Sequence, residues 1–266
     1  VDAETYPAAL DLFRARGGRP RVGWDGETRA FYAMPAIGNP HSRPMRDDDK
    51  QALLARGIFV IEDDAYAELR FDGRIARPLL ADDRARVWHV GSFSKTLCPG
   101  LRVGWLAPPP AWRERAIELK HASDLQASSL GQTVLALFLA EDDFDARLER
   151  AQRFYRARAS RLLSAVRRHL PSWRCAEPEG GFALFVESDE PGDDLALLET
   201  ATRHGVSFDP GRIFRPDSAN APLGLRLCFS NAGARELDEG VRRLARAWHA
   251  YHREAHAPPL RDMTAP

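Results

Sequence analysis

The chain has 266 residues, 44% of them hydrophobic and 29% charged, which suits one or two globular domains with a sizeable core. Its 38 basic residues balance its 38 acidic ones, and this zero net charge argues against nucleic acid as the main partner. The longest purely apolar run, 134–140, falls far short of the ~20 residues that span a bilayer, so we expect no membrane contact. Neither a leader nor a Cys-x-x-Cys pair is seen, so we expect a cytoplasmic protein.

The first part of the chain alternates helical patterns with short apolar runs. Each helical pattern ends at a glycine, a common stop signal. The apolar runs consist of β-forming residues and are typical of strands buried on both faces, as in a parallel sheet. The Pro- and Gly-rich stretch 19–45 is expected to hold loops with a strand or two. The predicted helices are 7–16 and 47–56, and the predicted strands are 58–61, 87–90 and 103–107.

The second part begins after the prolines at 108–110 and contains a long helical stripe that Pro171 ends. Strands and helices then alternate, and the tail after Ala255 is expected to be loose. We therefore predict an α/β fold, with a mostly parallel sheet in a large domain, 1–155, and a smaller α+β domain, 156–266. The predicted helices are 111–124, 128–140, 144–170, 193–204 and 233–252, and the predicted strands are 173–177, 182–187, 206–209 and 225–229.

A segment of small and polar residues, 91–105, follows the predicted strand 87–90, where α/β sheets place their ligands. The hydroxyl groups of Ser92 and Ser94 and the guanidinium group of Arg102 suit a phosphate. Lys95 is one of only three lysines, and a desolvated lysine beside cations becomes a nucleophile toward aldehydes. A solvent-facing lysine in a plain strand connection explains the same spacing equally well.

Two adjacent carboxylates, Asp63 and Asp64, leave the predicted strand 58–61. Because side chains alternate along a strand, one carboxylate can face a ligand while the other faces solvent or caps the next turn. A metal site is only weakly indicated and none is expected, because no histidine lies nearby in the sequence.

Two further positions carry polar groups at strand ends. Asn39 precedes a proline, a pair that usually forms a turn. Arg226 interrupts an apolar strand, and since arginine is rarely buried alone, it either reaches the surface or binds an anionic ligand.

Taken in order, these segments resemble the class I and II aminotransferases, which are fold-type-I enzymes that use pyridoxal phosphate. The resemblance spans about 31–246 and implies the fold-type-I architecture, a large domain with a mostly parallel sheet and a smaller C-terminal α+β domain. Its motifs are Asn-Pro at 39–40, Asp-x-Ala-Tyr at 63–66, Ser-x-Ser-Lys at 92–95, Gly-Leu-Arg at 100–102, Pro-x-Gly-Gly-Phe at 178–182, Val-x-Phe-x-Pro-Gly at 206–211 and the late strand residue Arg226.

The resemblance implies a role for each residue around the cofactor ring. Lys95 would hold pyridoxal phosphate as an internal aldimine and then move the α-proton. Asp63 would pair with the pyridinium nitrogen, so that the ring can accept the charge of the carbanion. Tyr66 and Asn39 would hydrogen-bond to the phenolic oxygen. Lys95, Asp63 and Tyr66 are thus the expected catalytic residues, and Asp64 is expected to be structural.

The resemblance also implies how phosphate and substrate are bound. Ser92, Ser94 and Arg102 would bind the phosphate group. Arg226 would bind the substrate α-carboxylate, with Asn39 beside it, and so align the bond from Cα to its hydrogen for cleavage.

The activity implied is transfer of an amino group between an α-amino acid and a 2-oxo acid, by a homodimer. A pyridoxal-phosphate-dependent C–S or β-lyase, a ligand-binding regulatory domain and a catalytically reduced remnant are alternatives with the same fold. The chain departs from the family in three ways: it is short and expected to lack the N-terminal part, the stretch 21–29 is shortened, and His41-Ser42 replace the usual Thr-Gly.

Overall fold

Two four-stranded sheets organise the residues that the computed structural model describes, which are 1–141, 143–217 and 221–255. The first sheet has the strand order β1-β2-β3-β4. Strands β1, β2 and β3 are parallel, and β4 runs antiparallel to β3. The prediction of a mostly parallel sheet is confirmed. The stretch 19–45, for which one or two strands were predicted, holds a single strand among the described residues. The strands are β1 (Ala30–Ala33), β2 (Phe59–Asp63), β3 (Val87–Ser92) and β4 (Gly104–Ala107).

The two faces of this sheet have different surroundings. Alternation along β2 places Ile61 and Asp63 on one face and Val60 and Glu62 on the other. The second face covers a core of buried apolar side chains. Because β2 and β3 are parallel, their carboxyl ends, with Asp63 and Ser92, meet at one edge of the sheet. The buried core residues of the second face are Phe31, Ala33, Leu53, Val60, Leu79 and Val87.

The second sheet is antiparallel, with the order β5-β6-β8-β7. Its outer strands are only two residues long, shorter than the predicted strands 173–177 and 206–209. The core beneath it is formed with the last three helices, whose apolar stripes are continuous with the buried strand residues. The strands are β5 (Arg174–Cys175), β6 (Ala183–Ser188), β7 (Asp209–Pro210) and β8 (Leu223–Cys228).

The helices begin and end close to their predicted bounds. The side chain of Asp143 caps the longest helix by accepting a hydrogen bond from the Ala146 N–H at 3.0 Å, and Pro171 follows soon after its end. The helices are α1 (Pro7–Ala15), α2 (Asp47–Ala55), α3 (Arg113–Asp124), α4 (Ser129–Glu141), α5 (Phe144–His169), α6 (Asp194–Arg203) and α7 (Ala234–Ala255). The predicted loose tail after Ala255 lies outside the described residues.

Helix α5 connects the two sheets. In its first half, the Gln152 side chain donates a hydrogen bond to the carbonyl of Glu68, at 2.7 Å, beside the first sheet. In its second half, Leu162 and Val166 belong to the core of the second sheet. The predicted domain boundary at 155 falls inside this helix and stays a prediction. Within the described part of the chain, no helix combines the length and hydropathy needed to cross a bilayer.

Candidate active site

The Asp63 carboxylate is fixed from two sides at the end of β2. Its Oδ2 atom accepts a hydrogen bond of 2.5 Å from the Tyr32 hydroxyl group, and its Oδ1 atom accepts one of 3.0 Å from the Ala65 N–H. Burial, and then the Asp63 charge, raise the pKa of Tyr32, so that its hydroxyl group stays a donor. The carboxylate is therefore held in one orientation at the edge of the sheet.

Lys95 and Tyr66 come together beside this carboxylate. The Nζ atom of Lys95, in the turn after β3, lies 5.6 Å from the centroid of the Tyr66 ring. Tyr66 is buried, and this burial raises the pKa of its hydroxyl to about 12, although the positive charge of Arg226 opposes the rise. Tyr66 is thus a neutral hydrogen-bond donor at physiological pH.

The predicted phosphate-binding residues follow the end of β3. The Ser94 N–H donates a hydrogen bond of 3.1 Å to the Ser92 Oγ atom, which folds the chain into a turn directly after the strand. Arg102 has a left-handed backbone (φ 53°) and an exposed side chain, whose Nη1 atom is 3.5 Å from the carbonyl oxygen of Pro99. The two serines are therefore adjacent, and the guanidinium group of Arg102 turns back toward its own loop.

Arg226 offers an open donor in β8. Its Nη1 atom donates a hydrogen bond of 2.8 Å to the Asp209 carboxylate. Its Nε atom is buried and has no hydrogen-bond partner among the described residues. Its positive charge opposes the rise in the pKa of Tyr66, so the second sheet brings this guanidinium group within electrostatic range of the Tyr66 hydroxyl. A partly buried guanidinium group with a buried, unused N–H favours a bound anion.

The fold thus brings Asp63 and Tyr66, Lys95, and Arg226 to one region from three separate stretches of the sequence. Asn39 is half-buried in the turn after β1, the third parallel strand that ends at this edge. This turn is closed by the Gly38 N–H, which donates a hydrogen bond of 2.8 Å to the carbonyl oxygen of Arg43.

Two tyrosines at this edge were not among the sequence predictions. Tyr32 lies in β1, level with Ile61 of β2, and binds Asp63. Tyr6 precedes the first residue of α1, and its hydroxyl group acts electrostatically on those of Tyr32 and Tyr66. Alternation along β1 is the signal that points to Tyr32, since Tyr32 and Ile61 share a face.

Asp64 lies on the opposite face of the sheet from Asp63, as alternation along a strand predicts. Its Oδ2 atom is 3.7 Å from the Nδ1 atom of His89, and Glu62 lies on the same face. Burial, and then the charge of Glu62, raise the pKa of Asp64 to about 7. Asp64 thus lies on the face away from Asp63, where Glu62 and His89 affect its pKa more strongly than Asp63 does.

Comparison with known proteins connects this geometry to one family. Residues 38–244 match the family model for aminotransferase class I and II. The 2-aminoadipate transaminase of Thermus thermophilus is 32% identical over 273 aligned positions, which cover 93% of this chain and 68% of that protein.

A solved structure shows the same fold. The crystal structure of LysN, the alpha-aminoadipate aminotransferase of Thermus thermophilus, was determined with N-(5'-phosphopyridoxyl)-L-leucine. It aligns with a TM-score of 0.86 and 30% identity, over 94% of this chain and 70% of that one.

A regulator is also similar. The probable rhizopine catabolism regulatory protein MocR of Rhizobium meliloti is 30% identical over 92% of this chain. The chain spans about half of that regulator (52%) and about two thirds of the transaminase (68%).

Proposed function

Because this chain belongs to the class I and II aminotransferases, we propose that it binds pyridoxal phosphate and transfers an amino group between an α-amino acid and a 2-oxo acid. The observation that carries the proposal is the position of Arg226. Its buried Nε atom is unused among the described residues, and its charge acts on the hydroxyl of Tyr66, the ring that lies 5.6 Å from the Nζ atom of Lys95. This pairs an anchor for a substrate carboxylate with an amine that can act on the adjacent carbon.

The residues of the first sheet fit the ring of the cofactor. When bound, pyridoxal phosphate supplies an electron sink for the charge left on the substrate after its α-proton is removed. Asp63, whose carboxylate is held by Tyr32 and Ala65, would supply the negative charge that pairs with the ring nitrogen. The neutral hydroxyl of Tyr66 would donate a hydrogen bond to the phenolic oxygen, and the Nζ atom of Lys95, 5.6 Å from the Tyr66 ring, would accept and return the α-proton.

We propose that Ser92, Ser94 and Arg102 bind the phosphate group. The serine hydroxyls and the turn between them lie at the end of β3, and the guanidinium group of Arg102 needs only a side-chain rotation to leave Pro99. Asn39 is proposed to contact the phenolic oxygen and the substrate from the turn after β1.

Arg226 is proposed to bind the α-carboxylate of the substrate. Asp209 holds one side of the guanidinium group at 2.8 Å, so the direction of the free Nε atom is fixed before the substrate arrives. Such preorganisation lowers the entropy that binding costs. Since the similar Thermus protein is a 2-aminoadipate transaminase, 2-aminoadipate is the first amino donor to test.

We also propose a cytoplasmic homodimer, with domains 1–155 and 156–266. The three cysteines are unpaired, as expected in a reducing compartment. The two sheets with their separate cores support the domain division. Exposed apolar side chains on β4, α3 and α4 support association, and these are Trp105, Leu106, Ile117, Leu119, Leu130, Val134, Leu137 and Leu139.

The lysine content makes the cofactor proposal easy to test, because Lys50, Lys95 and Lys120 are the only lysines in the chain. The chain is incubated with pyridoxal phosphate, reduced with borohydride, digested and analysed by mass spectrometry. We expect the pyridoxyl group on Lys95 and its loss in Lys95→Arg. Lys50→Arg and Lys120→Arg are matched controls that keep it. A pyridoxyl group distributed over all three lysines, or on none, contradicts the proposal.

Amino transfer is then measured with 2-aminoadipate or an aromatic amino acid as donor and 2-oxoglutarate as acceptor. The similarity to MocR over 92% of the chain favours a ligand-binding regulatory role as the second candidate. Cofactor bound at Lys95 without any transfer supports that second candidate. Release of ammonia without a need for the 2-oxo acid supports a lyase instead.

A further inference from the structure

Three potential metal ligands share the face of the first sheet that is opposite to Asp63. Glu62 of β2 and His89 of β3 are partners in the strand register, so their side chains leave the sheet next to each other. Asp64, two residues after Glu62, continues the same face. One ligand atom from each residue lies within 4.8 Å of the other two. The parallel pairing thus joins residues that are far apart in the sequence.

The distances suit a small metal ion. The Nδ1 atom of His89 is hydrogen-bonded to Oε2 of Glu62 at 3.0 Å and lies 3.7 Å from Oδ2 of Asp64. Zinc bonds of about 2.0–2.1 Å with tetrahedral angles place ligand atoms roughly 3.3 Å apart. The two separations lie on either side of that value, so an ion that replaces the proton between His89 and Glu62 would need only small side-chain rotations.

The cluster holds two deeply buried carboxyl groups with one imidazole between them. Glu62 is fully buried and Asp64 is 7% exposed. The Oδ1 atom of Asp64 is buried and has no hydrogen-bond partner within the described part of the chain. Neighbouring buried carboxylates are costly unless a positive charge neutralises them and each oxygen finds a partner. A bound dication meets both requirements.

The surroundings supply the remaining features of a metal site. The N–H groups of Leu79 and Leu80 donate hydrogen bonds of 2.6 and 3.1 Å to the two carboxylate oxygens of Glu62, and such outer contacts orient a ligating carboxylate. Asp64 and His89 line a cavity of about 790 Å³, which Glu68 also lines. The cavity gives an ion access and leaves room for water as a further ligand.

We propose that Glu62, Asp64 and His89 bind one divalent transition-metal ion, for which zinc is the best match, on the sheet face opposite to the cofactor-binding edge. An imidazole with two carboxylates favours zinc over magnesium and calcium, which prefer oxygen ligands only. The ion links the ends of β2 and β3, the strands that carry Asp63 and Ser92. Its proposed role is structural: it stabilises the ends of β2 and β3 on the face of the sheet opposite to Asp63.

The test measures zinc binding by the full chain after chelator treatment and without added cofactor, using isothermal titration calorimetry and elemental analysis. We expect one Zn²⁺ per chain and no comparable binding of Mg²⁺. Loss of an outer contact weakens metal sites about 10–100-fold, and Asp64→Asn and His89→Ala, which remove ligands, are expected to weaken binding at least as much. Asp63→Asn, on the other face, and His121→Ala, on exposed α3, are matched controls that keep binding.

Folding of the variants is checked independently. Asp64→Asn keeps the shape of the side chain and removes a buried carboxylate without a full set of partners, so its metal-free form is expected to melt no lower than the wild type. Cobalt binding to the unaltered chain gives a second measurement, since Co²⁺ in a tetrahedral nitrogen and oxygen site absorbs strongly in the visible range.

Two results overturn the proposal. One is the absence of stoichiometric zinc and of the cobalt spectrum in the wild type. The other is an equal loss of zinc affinity in Asp63→Asn and Asp64→Asn. Neither result depends on the aminotransferase proposal, because no cofactor and no turnover enter the measurement.

Discussion

The guanidinium group of Arg226 is anchored on one side and open on the other. Asp209 accepts its Nη1 hydrogen bond, while the buried Nε atom lacks a partner among the described residues. The strand residues on either side of Arg226 are buried leucines of the second core. An arginine in such a strand is costly to desolvate, and binding of an anion offsets that cost. Arg226 is therefore a residue that lowers the stability of the fold in exchange for a binding site for an anion.

Arg226→Ala is predicted to raise the KM for the amino acid by about 10–100-fold, because one or two charge-assisted hydrogen bonds of about 1.5–3 kcal/mol are lost. Steady-state kinetics with varied amino donor measures it. Arg174→Ala, an exposed arginine on β5 of the same sheet, is the control with unchanged KM. A KM equal to that of the wild type means that another group binds the carboxylate.

Tyr66 is predicted to keep its proton throughout the physiological range, because burial raises its pKa to about 12. The pH profile of kcat/KM therefore shows no fall from tyrosine ionisation below about pH 11. Tyr66→Phe is expected to lower kcat/KM at every pH without changing the shape of the profile. Tyr155→Phe, a neighbouring ring that packs on Phe182, serves as the control. The prediction is wrong if the kcat/KM profile of the wild type falls at alkaline pH and the profile of Tyr66→Phe does not.

Strands β3 and β4 pack unusually closely at Gly91 of β3. A Cβ atom at this position would lie 2.0 Å from a ring carbon of Trp105 on the neighbouring strand β4. Trp105 also packs against Phe93, in the turn that leads to Lys95, with ring centroids 5.2 Å apart. The glycine thus lets the antiparallel strand carry a large ring directly beneath the Lys95 turn.

Gly91→Ala is predicted to destabilise the fold by about 1–3 kcal/mol, the range typical of overpacking. Denaturant unfolding measures it. In the double variant Gly91→Ala with Trp105→Ala, the clash is absent, so the two changes are expected to be less than additive. Strict additivity would mean that the Trp105 ring is not what the new methyl group meets.

The segment before α1 is attached to the second sheet by a buried ion pair. Arg215 donates hydrogen bonds of 2.8 Å to Glu4 and 3.1 Å to Glu187, and the Thr5 N–H donates one of 2.7 Å to the carbonyl oxygen of Phe214. This attachment holds the chain beside Tyr6, whose hydroxyl group acts electrostatically on that of Tyr66.

Glu4 is predicted to make stability depend on pH. Its hydrogen bond with His41, and then that with Arg215, lower the pKa of its carboxyl below the ordinary 4.5. A depressed pKa contributes stability above the unfolded value, and that contribution is lost as the pH falls through the folded value. The free energy of unfolding should therefore fall less from about pH 6 to about pH 3 in Glu4→Gln than in the wild type. The free energies are measured by urea unfolding at the two pH values. An equal fall in the wild type and in Glu4→Gln would contradict this assignment.

On the scale of the whole molecule, the two sheets differ in how they are covered. The second sheet lies over a continuous core with α5, α6 and α7. Side chains of β4, α3 and α4 are instead exposed in large numbers, including Leu130 at 74% and Leu137 at 55%. Large exposed apolar surfaces are uncommon in soluble monomers and usually form interfaces.

Self-association through this surface is predicted, with a molecular mass near twice 29.7 kDa in size-exclusion chromatography with light scattering. Leu137→Arg places a charge in the proposed interface and should shift the mass toward that of the single chain. Ile75→Arg changes an isolated residue that is 98% exposed and should leave the mass unchanged. A single-chain mass for the wild type at all concentrations would rule out the dimer.

The sequence by itself determined the order and the approximate bounds of most elements. Helical stripes, apolar runs, glycines and prolines are local signals, and α5 and α7 carry them strongly enough to be placed within a few residues. The motifs around Lys95 and Asp63 were recognisable for the same reason, since each lies within a single turn or strand end. The short strands β5 and β7 were overestimated, because pairing length depends on a neighbour.

Only the tertiary structure decided which of these local pieces meet. Strand register placed His89 beside Glu62, although 27 positions separate them in the chain, and so overturned the reason for expecting no metal site. The packing of the two sheets brought Arg226 to Tyr66, and β1 brought Tyr32 to Asp63. Pairing and packing join residues distant in the chain, and their free energy depends on both partners at once, which no local pattern encodes.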